Sequence, residues 1–150
     1  MKTSDNISLM ERWYREVWQE SKDETIYELL APNAVLTGTN GPKQQIHGPE
    51  EFAAFAKQIR SAFSATEFIV VDVFGVDDKV VARWSATMTH NGDGLGVPPT
   101  GKSVKITGIS IVRIANGKVV EGWDNWDRLA MLEQIGAYVP PEAAILAKTA

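Results

Sequence analysis

An acidic residue beside tryptophans, near the end of a predicted strand, has the clearest chemical potential in this sequence. It is Asp127, which closes the segment VVEGWDNWD. A carboxylate among tryptophan rings loses solvation, so its pKa rises and it becomes a stronger base toward a carbon acid near neutral pH. We therefore predict that Asp127 is a general acid/base. The alternative is that it only caps the helix RLAMLEQIG that follows it.

Side-chain alternation along two predicted strands places a pocket around that carboxylate. Regular alternation puts Trp123 and Asp127 on one face of the last strand, and leaves Asp124 on the other, at the surface or an interface. It also puts Trp84 and Met88 on one face of the strand VVARWSATMTH. A mostly apolar pocket with few polar groups is typical of a small-molecule site. The residues predicted to contact a substrate are Trp84, Met88, Trp123, Asn125, Tyr14 and Phe55.

His90 is the second titratable group predicted to lie in this pocket. Its imidazole can donate a hydrogen bond to a carbonyl or developing enolate oxygen. The alternative is a histidine at the end of a strand that meets solvent. His47 is the only other histidine, there is no cysteine, and no His/Asp/Glu group has metal-ligand spacing. We therefore expect no metal site.

Helical patterns occupy the first part of the chain, and strand patterns follow. Apolar residues recur at helical spacing from about residue 5 to 21, again from 24 to 30, and in the segment GPEEFAAFAKQIRSAF. From residue 66 onward the sequence alternates as strands, with Asn116-Gly117 as a hairpin turn. This order predicts an α+β fold, in which helices lie on one face of a curved antiparallel sheet.

The strand SVKITGISIVRI is apolar on both of its faces. An antiparallel sheet with one wet face should alternate apolar with polar residues. The outer face of the sheet is therefore expected to be covered, most simply by a second subunit. This predicts a homodimer.

The segment GVPPTGKS, residues 96–103, matches the phosphate-loop pattern G-x-x-x-x-G-K-[ST]. A working phosphate loop presents backbone N–H groups and leads into a helix. Here Pro98 and Pro99 lack N–H groups, and a β-type pattern follows. The match therefore predicts a connection between strands rather than a nucleotide site.

The composition narrows the possible functions. The chain has 150 residues and a net charge of −4, without a basic run, which disfavours nucleic-acid binding. No uninterrupted apolar stretch has the length of a membrane span, so we expect a cytoplasmic protein that does not bind membranes. We expect one domain, with a core at about residues 5–137 and a C-terminal tail at 138–150.

Residues 10–137 resemble the SnoaL-like polyketide cyclases, or ester cyclases, of the nuclear-transport-factor-2-like superfamily. The resemblance is carried by a Thr-His pair, the turn GVPPTGK, the strand TGISIVRI, the motif E-x-W-x-x-x-D and the helix LAMLEQIG. It implies a cone-shaped fold with an internal apolar pocket. In this family the Asp of the last motif, here Asp127, acts as general acid/base, and His90 matches the family's Thr-His.

The resemblance implies an activity as well. We predict cofactor-independent proton abstraction next to a carbonyl and an aldol-type ring closure of a small apolar substrate. A non-catalytic binding protein with the same pocket is one alternative. Another is an epoxide hydrolase or isomerase of the same superfamily, in which Asp72, Arg83 and Asp127 would have to converge on a water through a β-bulge.

Overall fold

The structure is a computed structural model that describes residues 2–139 and residue 141. The helical elements are α1 (Thr3–Trp13), a π-helical segment (Tyr14–Gln19), α2 (Asp23–Leu29), α3 (Gly48–Ala62) and α4 (Arg128–Gln134). The strands are β1 (Leu30–Gly38), β2 (Gly41–His47), β3 (Phe63–Val76), β4 (Lys79–His90), β5 (Ser103–Ala115) and β6 (Lys118–Trp126).

Within these residues the strands form one six-stranded sheet in the order β2-β1-β6-β5-β4-β3. Neighbouring strands are antiparallel, except for β1 and β6, which run parallel. The sheet is curved and not closed, and α1 to α3 cover its inner face. The predicted α+β architecture is therefore confirmed, although the sheet is mixed rather than wholly antiparallel.

The inner face of the sheet and the helices share one apolar core. Strand β5 shows the separation of its two faces most clearly, because its residues alternate between buried and exposed along most of its length. Val104, Ile106 and Val112 are buried on the inner face, while Ile109 and Ile111 are exposed on the outer face. From α3, Phe52 and Phe55 pack into the same core and contact each other with ring centroids 5.9 Å apart.

A β-bulge near the start of β6 determines which residues of that strand face inward. Ile114 of β5 pairs with Val119 and Arg113 pairs with Glu121, so Val120 is the extra residue. Val119 and Gly122 are both buried, three positions apart instead of two. After the bulge, the even-numbered residues of β6 therefore face the core.

Gly108 lets a tryptophan lie against the backbone of β5. A Cβ atom at this position would stand 2.3 Å from Cζ2 of Trp84 and 2.8 Å from Cβ of Trp126. Gly108 pairs with Trp84 on one side and with Trp126 on the other. The missing side chain is thus what allows the indole of Trp84 to cross the inner face of the sheet.

Two local predictions are confirmed and two are corrected. No helix follows GVPPTGK, because Ser103 begins β5, and Asn116-Gly117 forms the predicted hairpin with positive φ at both residues. The segment Gly41–His47, which lies outside the predicted helices and strands, instead forms strand β2 at the edge of the sheet. The first predicted helix changes from α-helical to π-helical geometry at Tyr14.

Among the described residues, no helix is both long enough and apolar enough to cross a bilayer. The predicted C-terminal tail lies mostly outside the described residues, which beyond residue 139 include only Pro141.

Candidate functional site

An apolar cavity of about 470 Å³ lies between the helices and the inner face of the sheet. This volume is within the range of small-molecule sites. Of the residues predicted to contact a substrate, four line it: Tyr14, Phe55, Trp84 and Met88. Of the lining residues, only Gln19, Ser21 and Ala65 are exposed, so the cavity opens where the π-helical segment meets the start of β3.

Asp124 is the only carboxylate among the described residues that line the cavity. It lies on the inward-facing side of β6, where it pairs with Ser110 of β5. The Thr39 hydroxyl donates a hydrogen bond to Asp124 Oδ2. Burial raises the pKa of the Asp124 carboxyl above its ordinary value, while hydrogen bonds from Ser110 and Thr39 oppose that rise. Desolvation is the larger effect, so this carboxyl holds a proton more readily than an exposed one.

Two indole N–H groups fix the residues that contact this carboxylate. Trp84 Nε1 donates to Ser110 Oγ at 3.1 Å, and Trp126 Nε1 donates to the Thr39 carbonyl oxygen at 2.9 Å. Both tryptophans also line the cavity. The hydroxyl groups beside Asp124 are therefore held by side chains that are themselves packed, which keeps the carboxylate in one position.

Tyr14 places a second polar group at the same end of the cavity. Its side chain is buried and stacks on Phe68, with ring centroids 4.9 Å apart. Its hydroxyl oxygen is buried and makes no hydrogen bond to the described residues. Burial raises the pKa of this phenol most strongly, Ser110 opposes this rise, and the negative charge of Asp124 adds a smaller increase. Tyr14 therefore remains a neutral O–H donor across the physiological pH range.

Asp127 does not face the cavity, so its predicted position is wrong. It is exposed, and its Oδ1 accepts a hydrogen bond from the Ala130 N–H at 2.9 Å as the N-cap of α4. Trp123 and Asn125 are also exposed on the outer face and do not line the cavity. The cause is the bulge at Val120. Alternation correctly predicts which residues of β6 share a face, but the face that contains Asp124 points inward, not the face that contains Trp123.

His90 does not contact the cavity either. It is fully buried beside Phe63, with ring centroids 5.4 Å apart. Its Nδ1 accepts a hydrogen bond from the Thr100 N–H at 3.3 Å, which assigns the proton of the neutral ring to Nε2. The backbone of His90 also bonds to Gly101 and Lys102. His90 thus fixes the loop between β4 and β5, and neither of its predicted positions, in the pocket or meeting solvent, is correct.

Asp72 and Arg83 pair with each other away from the cavity. Arg83 Nη2 donates to Asp72 Oδ2 at 2.5 Å, and both side chains are more than half exposed. A bulge lies between Val70 and Asp72, as an arrangement with Asp127 would need, but it leaves both residues on the outer face. The geometry required for epoxide hydrolysis is therefore not present in the cavity.

Among the described residues, no group of three or more His, Asp or Glu side chains is arranged to hold a metal ion. The cavity wall carries a single acid and a single basic side chain, Arg60, among the residues described. This set suits acid/base chemistry on an organic ligand better than metal coordination.

Sequence analysis missed Asp124, Thr39 and Ser110 as site residues. One signal was available for Ser110, a small polar residue within the otherwise apolar inward set of β5, but the register of the Asn116-Gly117 hairpin alone would place Trp123 rather than Asp124 opposite it. The bulge itself has no clear sequence signature. Thr39 comes from the turn after β1 and approaches β6 only in the folded sheet.

Comparisons with known proteins identify the family of the chain. The sequence profile of the family described as SnoaL-like polyketide cyclase matches residues 8–135. Aklanonic acid methyl ester cyclase DauD from Streptomyces sp. (strain C5) is 27% identical over 136 residues, covering 89% of this chain and 83% of that protein.

Solved structures give the same result. A SnoaL-like protein from Jannaschia sp. CCS1 superposes with a TM-score of 0.80 at 26% identity, covering 92% of this chain and 95% of that one. IdmH from Streptomyces antibioticus superposes with a TM-score of 0.74 at 31% identity, covering 91% of this chain and 99% of that one.

The raised pKa of Asp124 makes stability depend on pH in a defined direction. Because the carboxyl pKa is higher in the folded state than in the unfolded state, the contribution of Asp124 to stability is fully present at a pH below the unfolded-state pKa. This contribution is lost as the pH rises through the folded-state pKa. Asp124→Asn stays neutral throughout. We expect the free energy of unfolding of the variant, relative to wild type, to increase as pH rises from about 4 to 8, by about 1.4 kcal/mol per unit of pKa elevation, and its melting temperature to rise with it.

Thermal melting by circular dichroism across this pH range measures the effect. Asp127→Asn is the matched control, because it also removes one carboxylate from the same segment while asparagine remains a good N-cap. A difference for Asp124→Asn that is constant, or that falls with rising pH, would contradict the assignment of a buried, destabilised carboxylate.

Proposed function

Because this chain belongs to the SnoaL-like polyketide cyclase family, we propose that it catalyses an aldol-type ring closure in a small, largely apolar carbonyl compound, with Asp124 as general acid/base. The single observation that carries this proposal is the position of Asp124, the one described carboxylate in the wall of an apolar cavity, with a raised pKa. Asp124 takes the role that the sequence pattern predicted for Asp127.

The reaction needs a base and then an acid at the same place. The Asp124 carboxylate removes a proton from a carbon next to a substrate carbonyl, which leaves an enolate. The enolate carbon attacks a second carbonyl carbon of the same molecule, so one C–C bond forms and that carbonyl oxygen becomes an alkoxide. The protonated Asp124, or water, then supplies a proton to the alkoxide. The product is an isomer of the substrate, and no redox partner is consumed.

Raising the pKa of the carboxyl serves both halves of this cycle. An ordinary carboxylate is a weak base toward a carbon acid, and desolvation makes Asp124 a stronger one. The Thr39 hydroxyl donates to the same carboxyl, and Thr39 and Ser110 both lower its pKa and so favour the ionised form. The balance between burial and these hydrogen bonds therefore sets a pKa that allows both proton removal and proton return.

Tyr14 is placed to stabilise the enolate oxygen. Its O–H is a buried donor without a partner among the described residues, in the wall of the cavity that holds Asp124. A hydrogen bond to a substrate oxygen would gain strength as negative charge develops there. Trp84, Met88 and Phe55 complete an apolar wall, which excludes water and holds the two reacting carbons together.

We also propose that the protein is a homodimer that pairs through the outer face of the sheet. The register aligns Phe74, Val81, Ile111 and Trp123 in one row across four strands of this face. Phe74 is 57% exposed and Trp123 is 40% exposed, which is unusual for a monomer surface. A second copy is the favoured partner because the ion pairs Arg83–Asp72 and Arg113–Glu121 neutralise charge within the face.

Exchange of Asp124 for an isosteric amide tests the catalytic assignment. We expect Asp124→Asn to lower turnover by about 10²- to 10⁴-fold, because it removes the base and leaves the cavity intact. Aklanonic acid methyl ester, which occurs in the name of the Streptomyces relative, and the corresponding free acid are the first substrates to assay, by chromatography and mass spectrometry. Deuterium incorporation next to the carbonyl in D₂O detects proton removal even without ring closure.

Asp127→Asn is the control and should retain turnover within a few-fold. Equal activity of Asp124→Asn and wild type would contradict the mechanism. A wild-type protein that binds carbonyl ligands but exchanges no proton would favour the non-catalytic binding protein.

Removal of the Tyr14 hydroxyl tests the oxyanion donor separately. We expect Tyr14→Phe to lower kcat by about 10- to 10³-fold with little change in KM, because the hydrogen bond strengthens in the transition state. Steady-state kinetics measure the two constants. A rise in KM with kcat unchanged would instead indicate that the hydroxyl only binds the ground state.

A charge in the middle of the apolar row tests the dimer. We expect Ile111→Glu to convert a dimer of twice the 16.5 kDa chain mass into a monomer. Light scattering after gel filtration measures the mass. Tyr27→Glu is the matched control, because Tyr27 is an exposed apolar residue on α2, away from the sheet. A wild-type monomer, or a dimer that survives Ile111→Glu, would contradict this interface.

A further inference from the structure

The cavity has opposite charges at its two ends. Asp124 lies on β6, and Arg60 lies in the last turn of α3, next to the exposed residues of the opening. Ser64 and Thr66 of β3 line the cavity beside Arg60. Strands β3 and β6 are three strand spacings apart in the sheet, roughly 14 Å measured across the strands.

Arg60 is held in place by two of its nitrogens. Nη1 pairs with the exposed Asp23 carboxylate, and Nη2 donates to the Val17 carbonyl oxygen at 2.7 Å. Nε is buried and has no partner among the described residues. A buried N–H donor without an acceptor costs free energy, and a ligand oxygen at this place would remove that cost.

The other polar groups at the opening are also donors. Gln19 uses its carbonyl oxygen to accept from the Phe68 N–H at 3.3 Å, so its amide N–H groups remain. Ser64 accepts from Asn91 Nδ2 at 2.5 Å, so its own hydroxyl hydrogen remains. No described acidic side chain lines this end of the cavity. The opening therefore presents hydrogen-bond donors to the cavity, including those of Arg60, whose partner Asp23 does not line the cavity, whereas the inner end is acidic.

We propose that the opening is a second binding subsite, which takes a carboxylate of the substrate, with Arg60 as its main donor. The substrate is then an apolar carbonyl compound with an acid group remote from the reacting carbons. The opposite charges orient it, because the carboxylate is attracted to Arg60 and repelled by Asp124. This proposal rests on the proposed function only for the role of the inner end; recognition of the acid needs no turnover.

Binding of a matched acid and ester tests the subsite. The probes are anthraquinone-2-carboxylate and its methyl ester, and the readout is quenching of tryptophan fluorescence, since Trp13, Trp18, Trp84 and Trp126 line the cavity. We expect wild type to bind the acid about 5- to 50-fold more tightly than the ester, as one charge-assisted hydrogen bond predicts. Arg60→Gln should lose this preference.

Two control variants separate acid recognition from a structural role of Arg60. Lys57→Gln removes one positive charge from the same helix at an exposed position outside the cavity wall, and should keep the preference. Asp23→Asn removes the ion-pair partner of Arg60 and leaves its guanidinium, so it should keep or increase the preference. A merely structural Arg60 predicts that Asp23→Asn and Arg60→Gln lower the melting temperature alike and leave the acid-to-ester ratio unchanged.

Two outcomes would overturn the proposal. One is a wild-type protein that does not bind the acid more tightly than the ester, and the other is a preference that persists in Arg60→Gln. Asp124→Asn distinguishes this test from that of the proposed function, because it should lose turnover and keep the acid preference. A wild-type protein with full turnover and no preference for the acid would contradict the subsite alone.

Discussion

The site depends on which face of β6 points into the cavity, and a single extra residue determines this. Val120 has no partner on β5, so the inward positions move from Val119 to Gly122, Asp124 and Trp126. Without the bulge, regular alternation from Val119 would turn Trp123 and Asp127 inward and Asp124 outward. A one-residue shift in a strand exchanges its two faces completely. The acid of the cavity is therefore determined by backbone geometry as much as by residue type.

Once Asp124 faces inward, its neighbours restrain it. Thr39 donates to the carboxyl and Ser110 pairs with Asp124 across the sheet, and each belongs to a different strand or turn from Asp124 itself. The indoles of Trp84 and Trp126 hold those two residues in turn. Gly108 makes room for Trp84, and a side chain there would meet the indole. The free-energy cost of burying this carboxylate is tolerated because packing holds the side chains that contact it.

The sequence predicts the class of fold and the composition of the cavity better than it predicts the acid. Helical and strand periods, the Asn116-Gly117 turn and the family motifs give the α+β architecture, which the structure confirms. They also give a cavity whose wall includes Trp84 and Met88. The prediction that Asp127 rather than Asp124 faces the cavity was wrong, because it depended on which face of β6 points inward. The bulge that determines this face is a tertiary feature without a residue signature here.

The error over His90 has a different physical cause. Its place at the end of β4 was predicted, but its partners lie on the loop that follows, and loop geometry cannot be derived from alternation. Thr100 and Gly101 approach His90 only when this loop folds back onto the strand. The same loop contains the segment that matches the phosphate-loop pattern, and its glycines and prolines lie where the backbone folds back toward β4.

The residues around Asp124 and those around the opening come from separate parts of the chain. The first belong to β1, β5, β6 and the adjoining turn, and the second to the π-helical segment, α3 and the start of β3. Substitutions near the opening can therefore accumulate without disturbing the surroundings of Asp124. In a protein built in this way, the groups at the opening and those around the buried acid can change independently during evolution.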